Sequence, residues 1–247
     1  MQYCQKLVSY GKFIEIYTYE KPQKKDYKKI LTIEQIKNLL GIGTSEHLQL
    51  DCFKEIAKTK ERARFSLQRT RTKIRRAVNA NSDLNKFLTL TFADNVQDVK
   101  FANREFSRFI MRLNYQYPNT KHLAVIEFQK RGAVHYHMLT NLGYVKTSAI
   151  ANIWKNGFVK INKIKNVDNV GAYVCKYLGK EMFYGKMKNK KKFFTSRNLE
   201  KPIEIFNEKD ILKIASFYNL SSLQPVYNSR FDSIYTGMVN YVQYAIK

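Results

Sequence analysis

The chain has 247 residues, 44% of them hydrophobic, which is enough to bury a real core in one elaborated domain. Lysine and arginine number 44 against 20 acidic residues, and the resulting net charge of +24 exceeds what solubility asks for and points to a polyanionic partner. Aromatics make up 14% of the chain and interleave with the cations, as base stacking along a phosphate chain requires, and no hydrophobic run approaches the roughly 20 residues of a spanning helix; single-stranded nucleic acid is therefore favoured over a membrane.

The opening Met-Gln-Tyr-Cys-Gln-Lys lacks the apolar core of a signal peptide, so an intracellular location is expected. Cys4, Cys52 and Cys175 are far apart with no CxxC pair, which argues against a disulfide framework or a zinc cluster. Residues 1–20 alternate apolar and polar side chains around Phe13-Ile-Glu-Ile-Tyr-Thr-Tyr19, predicting one or two strands before a turn near Pro22. Thr32 and Gln35 are spaced as a capping box for a helix ending at Leu40, where Gly41 and Gly43 stop it. A longer helix from about Cys52 to Asn79 carries ten basic residues against Glu55 and Glu61, on more than one face, which leans towards contact with a phosphate backbone.

From Ser82-Asp83 onward the pattern reads as the core. Phe87-Leu-Thr-Leu-Thr-Phe92 is a strand, and Asp94 can cap a helix over Val96–Asn114 whose buried stripe is Phe106, Phe109, Ile110 and Leu113. Strands follow over Leu123–Phe128 and Ala133–Leu139, then a short helix over Ser148–Trp154 and a strand over Gly157–Asn162. Asp168 or Asn169 caps a last core helix running to about Met182. The order β-α-β-β-α-β-α predicts an α+β fold, a mainly antiparallel sheet with helices on one face. The expected organisation is an N-terminal extension (1–83) with the basic helix, a core (84–183) and a C-terminal extension (184–247). Lys186–Lys192, with five lysines, is either a solvated loop or a phosphate-binding segment, and a helix is expected near Glu208–Phe217 with aromatic-rich strands or helices after it. No GxxxxGK[ST] loop is present, so the chain carries no visible NTPase or helicase motif.

Two stretches carry chemistry. The first is Glu127-Phe-Gln-Lys-Arg-Gly-Ala-Val-His-Tyr-His137. Lys130-Arg131-Gly132 reads as a three-residue hairpin loop, with Gly132 in the left-handed conformation that glycine adopts cheaply. That loop sets Phe128 opposite Val134 and Glu127 opposite His135, and strand alternation then puts Glu127, His135 and His137 on one sheet face. A loop one residue shorter or longer moves Glu127 to the other face. Two imidazoles and a carboxylate suit a divalent cation with open coordination positions.

The second stretch is Tyr173-Val-Cys-Lys-Tyr-Leu-Gly-Lys180. On a helix, Tyr173, Lys176, Tyr177 and Lys180 share one broad face, beside a stripe of Val170, Val174 and Leu178 that can pin the helix to the sheet. A phenol with its ordinary pKa of about 10 is a poor nucleophile. A cation that binds the non-bridging oxygens of a DNA phosphate and polarises phosphorus changes that balance, and the lysines could stabilise the developing charge.

These three stretches in order, the Phe87-Leu-Thr-Leu-Thr91 strand, the His135-Tyr-His137 pair and the Tyr-x-x-Lys-Tyr helix, resemble the HUH endonuclease superfamily of rolling-circle replication initiators, most of all its two-tyrosine members from small single-stranded DNA phages and related plasmids. The resemblance spans roughly residues 84–183. It implies a metal-dependent DNA nickase and ligase that cuts a single-stranded origin within double-stranded origin DNA, stays attached to the 5′ end, leaves a 3′ hydroxyl, uses Mg²⁺ or Mn²⁺ and works with a host helicase in the bacterial cytoplasm. By position, His135 and His137 match the metal-binding pair, Glu127 the third ligand, Tyr173 and Tyr177 the first and second nucleophiles, and Lys176 a catalytic lysine. The central residue of the histidine motif is usually bulky and apolar, a condition that Tyr136 meets through its ring.

The same chemistry serves a two-tyrosine transposase, and a catalytically silent, sequence-specific DNA-binding protein could share the fold. A conjugative relaxase is disfavoured, because relaxases usually place the tyrosine before the histidine pair. His47 and His122 have no chemical role in this reading, and Trp154 is assigned to the core.

Overall fold

The computed structural model describes residues 1–24, 65–164, 170–176, 191–233 and 236–246. The chain divides into two compact units, one of Met1–Ser9, Phe13–Arg62 and Ile203–Lys247, the other of Tyr10–Lys12 and Ala63–Pro202.

In the first unit β1 (Gln2–Tyr10) and β2 (Phe13–Lys24) form a hairpin, and β8 (Ile203–Ile205), β9 (Tyr227–Ser233) and β10 (Gly237–Ala245) complete a sheet of order β8-β1-β2-β10-β9. Helix α5 (Glu208–Phe217), capped by Asn207, supplies Ile211 to a small core with Leu7, Ile14 and Leu220. Pro22 does not end a strand as the composition suggests. It lies in β2 beyond Tyr19, where register pairing with β10 stops, so its missing N–H costs no ladder bond.

The second unit is built on an antiparallel sheet of order β6-β3-β5-β4-β7, from β3 (Lys86–Thr91), β4 (His122–Phe128), β5 (Val134–Thr140), β6 (Val159–Lys163) and β7 (Phe193–Thr195). Between these strands run α2 (Val99–Gln116), α3 (Thr147–Trp154) and α4 (Val170–Cys175), and a further helix, α1, occupies residues 65–80 ahead of β3. The expected β-α-β-β-α-β-α order and α+β class hold. The cap of α2 is Asp98, whose side chain accepts from the Lys100 N–H, rather than Asp94. The Val96 carbonyl accepts from the Val134 N–H at 2.8 Å, so residues 94–98 are tied to the start of β5 before the helix can begin.

Helices cover both faces of this sheet, not one. Phe106 of α2 stacks on Tyr136 with centroids 4.3 Å apart, whereas Tyr173 of α4 meets Phe87 on the opposite face. The reason lies in β3 and β5, whose buried side chains point both ways: Phe87 and Leu139 on one side, Leu88, Leu90, Tyr136 and Met138 on the other. In α1, Leu67, Ile74 and Val78 are buried in the core, so the basic helix is amphipathic and docked. It holds α4 closely: a Cβ on Gly171 would lie 2.7 Å from Arg75 Cα, and the Gly171 N–H donates to Asn79 Oδ1. The predicted helix ending at Leu40, the start of the basic helix, the caps Asp168 and Asn169, and the run Lys186–Lys190 lie outside the described residues. No described helix is long and apolar enough to cross a membrane.

Candidate metal centre

The hairpin loop between β4 and β5 sets the site. Gly132 has φ +86°, its N–H donates to the Gln129 carbonyl at 2.8 Å, and the Gln129 N–H donates to the Ala133 carbonyl at 2.9 Å. The ladder below pairs Phe128 with Val134 and Glu127 with His135, the register that a three-residue loop dictates. Gln97 braces the loop from outside, donating from Nε2 to the Arg131 carbonyl at 3.3 Å. Glu127, a half-buried side chain, pairs with His137 rather than with Lys130 or Arg131.

β5 is the middle strand and is buried along its whole length, so its two histidines sit in a poorly solvated environment, 7% and 6% exposed for His135 and His137. The donor atoms of Glu127, His135 and His137 all lie within 4.8 Å of one another. An ion about 2.1 Å from each donor holds those donors about 3 to 4 Å apart, so loading asks for small side-chain adjustments only. His135 Nε2 is buried and makes no hydrogen bond, which is what an unfilled ligand position requires. His137 Nε2 lies 2.5 Å from Glu127 Oε2, and its Nδ1 lies 3.2 Å from Thr89 Oγ1.

Burial pushes both imidazoles below the ordinary histidine range. The charge of His137 adds to this at His135, while the Glu127 hydrogen bond opposes it at His137 without overcoming burial. The contact of His137 with Glu127 is thus a hydrogen bond of a neutral ring, although at 2.5 Å it has ion-pair geometry. Without a cation, Nε2–H donates to the carboxylate and the Thr89 hydroxyl donates to Nδ1. With one, Nε2 must surrender its proton, and the Nδ1–H tautomer then donates to the same hydroxyl, which can accept as readily as give. The cluster can hold a metal ion in an N,N,O set.

Tyr136 points the other way. Its ring is fully buried against Phe106 and its hydroxyl donates to Asn103 Oδ1 at 2.7 Å, while burial raises its pKa. It is a core residue with one satisfied polar atom. Trp154 is likewise buried, its indole N–H donating to the Thr91 carbonyl at 3.0 Å.

Tyr173 is half-buried on the cluster's side of the sheet. The Phe87 ring lies between the two elements, stacked on His137 with centroids 5.5 Å apart and meeting Tyr173 edge-on, also at 5.5 Å. Lys176 Nζ lies 5.7 Å from the Tyr173 ring centroid, within cation–π range. Tyr177 and Lys180 lie outside the described residues. Phe87 and Thr89 belong to a strand whose pattern is visible in the sequence, but their roles depend on β3 lying beside β5 with Thr89 opposite His137, and that register is not encoded locally.

A neutral His–His–Glu cluster on an antiparallel sheet, with a helix-borne tyrosine one ring away, defines a candidate metal-assisted site for phosphoryl chemistry. Residues 85–182, the stretch containing all of it, match the model of a family described as replication-associated protein ORF2. The match supports a replication initiator and, with it, DNA as partner. No curated protein and no solved structure matches the chain.

Proposed function

We propose that the protein is a rolling-circle replication initiator that nicks and rejoins single-stranded origin DNA through a covalent tyrosine intermediate. The observation that carries this reading is the packing of Phe87 against both His137 and Tyr173, which keeps the ligand cluster and a phenol on one side of the sheet. Mg²⁺ or Mn²⁺ held by Glu127, His135 and His137 would supply charge to the non-bridging oxygens of the scissile phosphate. Tyr173 Oη attacks phosphorus and loses its proton to solvent; the Oη–P bond forms as the P–O3′ bond breaks, and O3′ leaves as a hydroxyl after taking up a proton. The product is a 5′-phosphotyrosine with a free 3′ end. Because the phosphodiester's energy is kept in that bond, a 3′ hydroxyl can reverse the attack and join strands without ATP. Lys176, beside the Tyr173 ring, balances the phenolate charge, and Tyr177 serves as the second nucleophile for the later transfer.

Single-stranded and double-stranded origin DNA are the expected partners, a host helicase opens the duplex, and the work takes place in the bacterial cytoplasm. A two-tyrosine transposase would share every chemical step, and the matched family favours replication. The test is cleavage of candidate origin oligonucleotides with Mg²⁺ or Mn²⁺. The expected result is cleavage that His137→Ala removes while salt-sensitive DNA binding persists; cleavage retained by His137→Ala would refute the ligand assignment.

A further inference from the structure

The face of the sheet turned away from the ligand cluster carries a second concave site. Along β4, His122, Ala124 and Ile126 point to the α2 side, and Phe194 of β7, paired with Ala124, points with them. Between α2, the turn 118–120 and residues 191–198 lies a cleft of about 580 Å³, a volume in the range of small-ligand sites. Its wall is apolar and aromatic, with Phe106, Ile110 and Phe194, and its rim carries Lys191 and Arg197. No carboxylate stands among the described residues that line it.

A buried histidine marks this site as built. His122 lines the cleft, is 5% exposed, and its Nδ1 has no hydrogen-bond partner. Buried ring nitrogens normally find one. The ring is not there by accident of rotamer alone, because its backbone is clamped from both sides: the His122 N–H donates to Ser196 Oγ and the Ser196 N–H donates to the His122 carbonyl, each at 3.0 Å. Burial, helped by the Lys191 charge, keeps the imidazole neutral, so it adds a donor or acceptor to the cleft without adding charge.

The ligand must therefore offer a flat apolar surface, an anionic group and a hydrogen-bonding edge within a few ångströms of each other. Lys191 Nζ lies 4.9 Å from the Phe194 ring centroid, so aromatic surface and cation are already adjacent on the scale of one nucleotide. An acidic peptide supplies the charge but no planar ring, and a cationic ligand meets only repulsion. We propose that this cleft holds one nucleotide of a single DNA strand, its base against Phe194 and its phosphate on Lys191 and Arg197. The strand would pass around β7, the short edge strand beside β4, and be gripped on both faces of the sheet. The proposal rests on the functional reading above for the ligand being DNA, and on the cleft alone for its position.

The test uses the full chain and single-stranded oligonucleotides carrying 5-iodouracil, crosslinked by light and mapped by mass spectrometry. The expected result is a crosslink within residues 191–198 that Phe194→Leu, which keeps the apolar bulk, abolishes. The double variant Lys191→Glu/Arg197→Glu should weaken binding of a 20-nucleotide strand about 10-fold, well beyond a matched reversal at Lys100 and Arg104 outside the cleft, while Mn²⁺ binding by calorimetry is unchanged. Crosslinks confined to other segments, equal weakening by both reversals, or displacement of the strand from the cleft by polyglutamate would overturn it. None of these readouts needs cleavage, so a chain that never nicks DNA could still pass, and one that nicks could fail.

Discussion

Phe87 touches both His137 and Tyr173, face to face with the imidazole and edge-on to the phenol, at the same centroid distance of 5.5 Å. A ligand of the candidate metal centre and a candidate nucleophile are thereby referenced to one rigid ring on the neighbouring strand, which is how a site shared between a sheet and a separate helix can keep its reacting groups in register.

Phe87→Leu should then cost more in rate than in metal binding. Losing two ring contacts is worth about 1–3 kcal/mol of stability. Single-turnover cleavage should fall about 10-fold or more, with Mn²⁺ affinity by calorimetry changed less than about threefold. Equal losses in both would remove Phe87 as a positioning residue.

Thr89 should tune the metal rather than the nucleophile. Thr89→Val keeps the shape but leaves His137 Nδ1 without its hydroxyl partner, and outer partners of this kind are worth about 10-fold or more in affinity. Calorimetric titration with Mn²⁺ checks this, with Thr89→Ser expected to restore binding. An unchanged affinity in Thr89→Val would contradict the two-tautomer account.

Gly171 sets how close α4 comes to α1. An added methyl would lie 2.7 Å from Arg75 Cα and 2.8 Å from its carbonyl oxygen, neither of which is a flexible side-chain end. Gly171→Ala should push α4 outward, lowering stability by about 1–3 kcal/mol and cleavage by about 10-fold without touching the ligand cluster. Chemical denaturation and single-turnover rates on the same preparation measure both.

His122 makes stability depend on pH. Its pKa is lowered to about 4 by burial and by Lys191, against an ordinary 6.5. The unfolded chain then binds the proton more readily, so stability is full above pH 6.5 and is lost as pH falls towards 4. Between about pH 7 and about pH 5 this residue alone removes on the order of 2 kcal/mol. Urea unfolding at the two pH values should show a smaller drop for His122→Gln than for the parent chain; an identical drop would dismiss the effect.

Much of the fold was legible because its signals are local. Alternation in β3, β4 and β5, the apolar stripe of α2 and the glycine in the hairpin loop suffice for the α+β class and for the register that aligns Glu127 with His135. What escaped is what depends on distant partners. Asp94 and Asp98 are equivalent as caps until Val96 is seen to bond Val134. Pro22 reads as a turn until β10 proves too short to need its N–H. Helices were expected on one face because strand order does not reveal that β3 and β5 are apolar on both. At the site, the three ligand residues could be read from the hairpin, whereas Phe87, Thr89 and Gly171 become meaningful only once three separate elements meet.

The central claim concerns a bond between Tyr173 and DNA. The most direct measurement is incubation of the protein with a single-stranded origin oligonucleotide and Mn²⁺, followed by a denaturing gel and mass spectrometry of any species that keeps the oligonucleotide attached. The predicted result is an adduct through a phosphotyrosine at residue 173, lost in Tyr173→Phe, and kept in Tyr177→Phe, which should impair strand transfer more than nicking. An adduct mapped to another residue, or cleavage that proceeds undiminished in Tyr173→Phe, would contradict it.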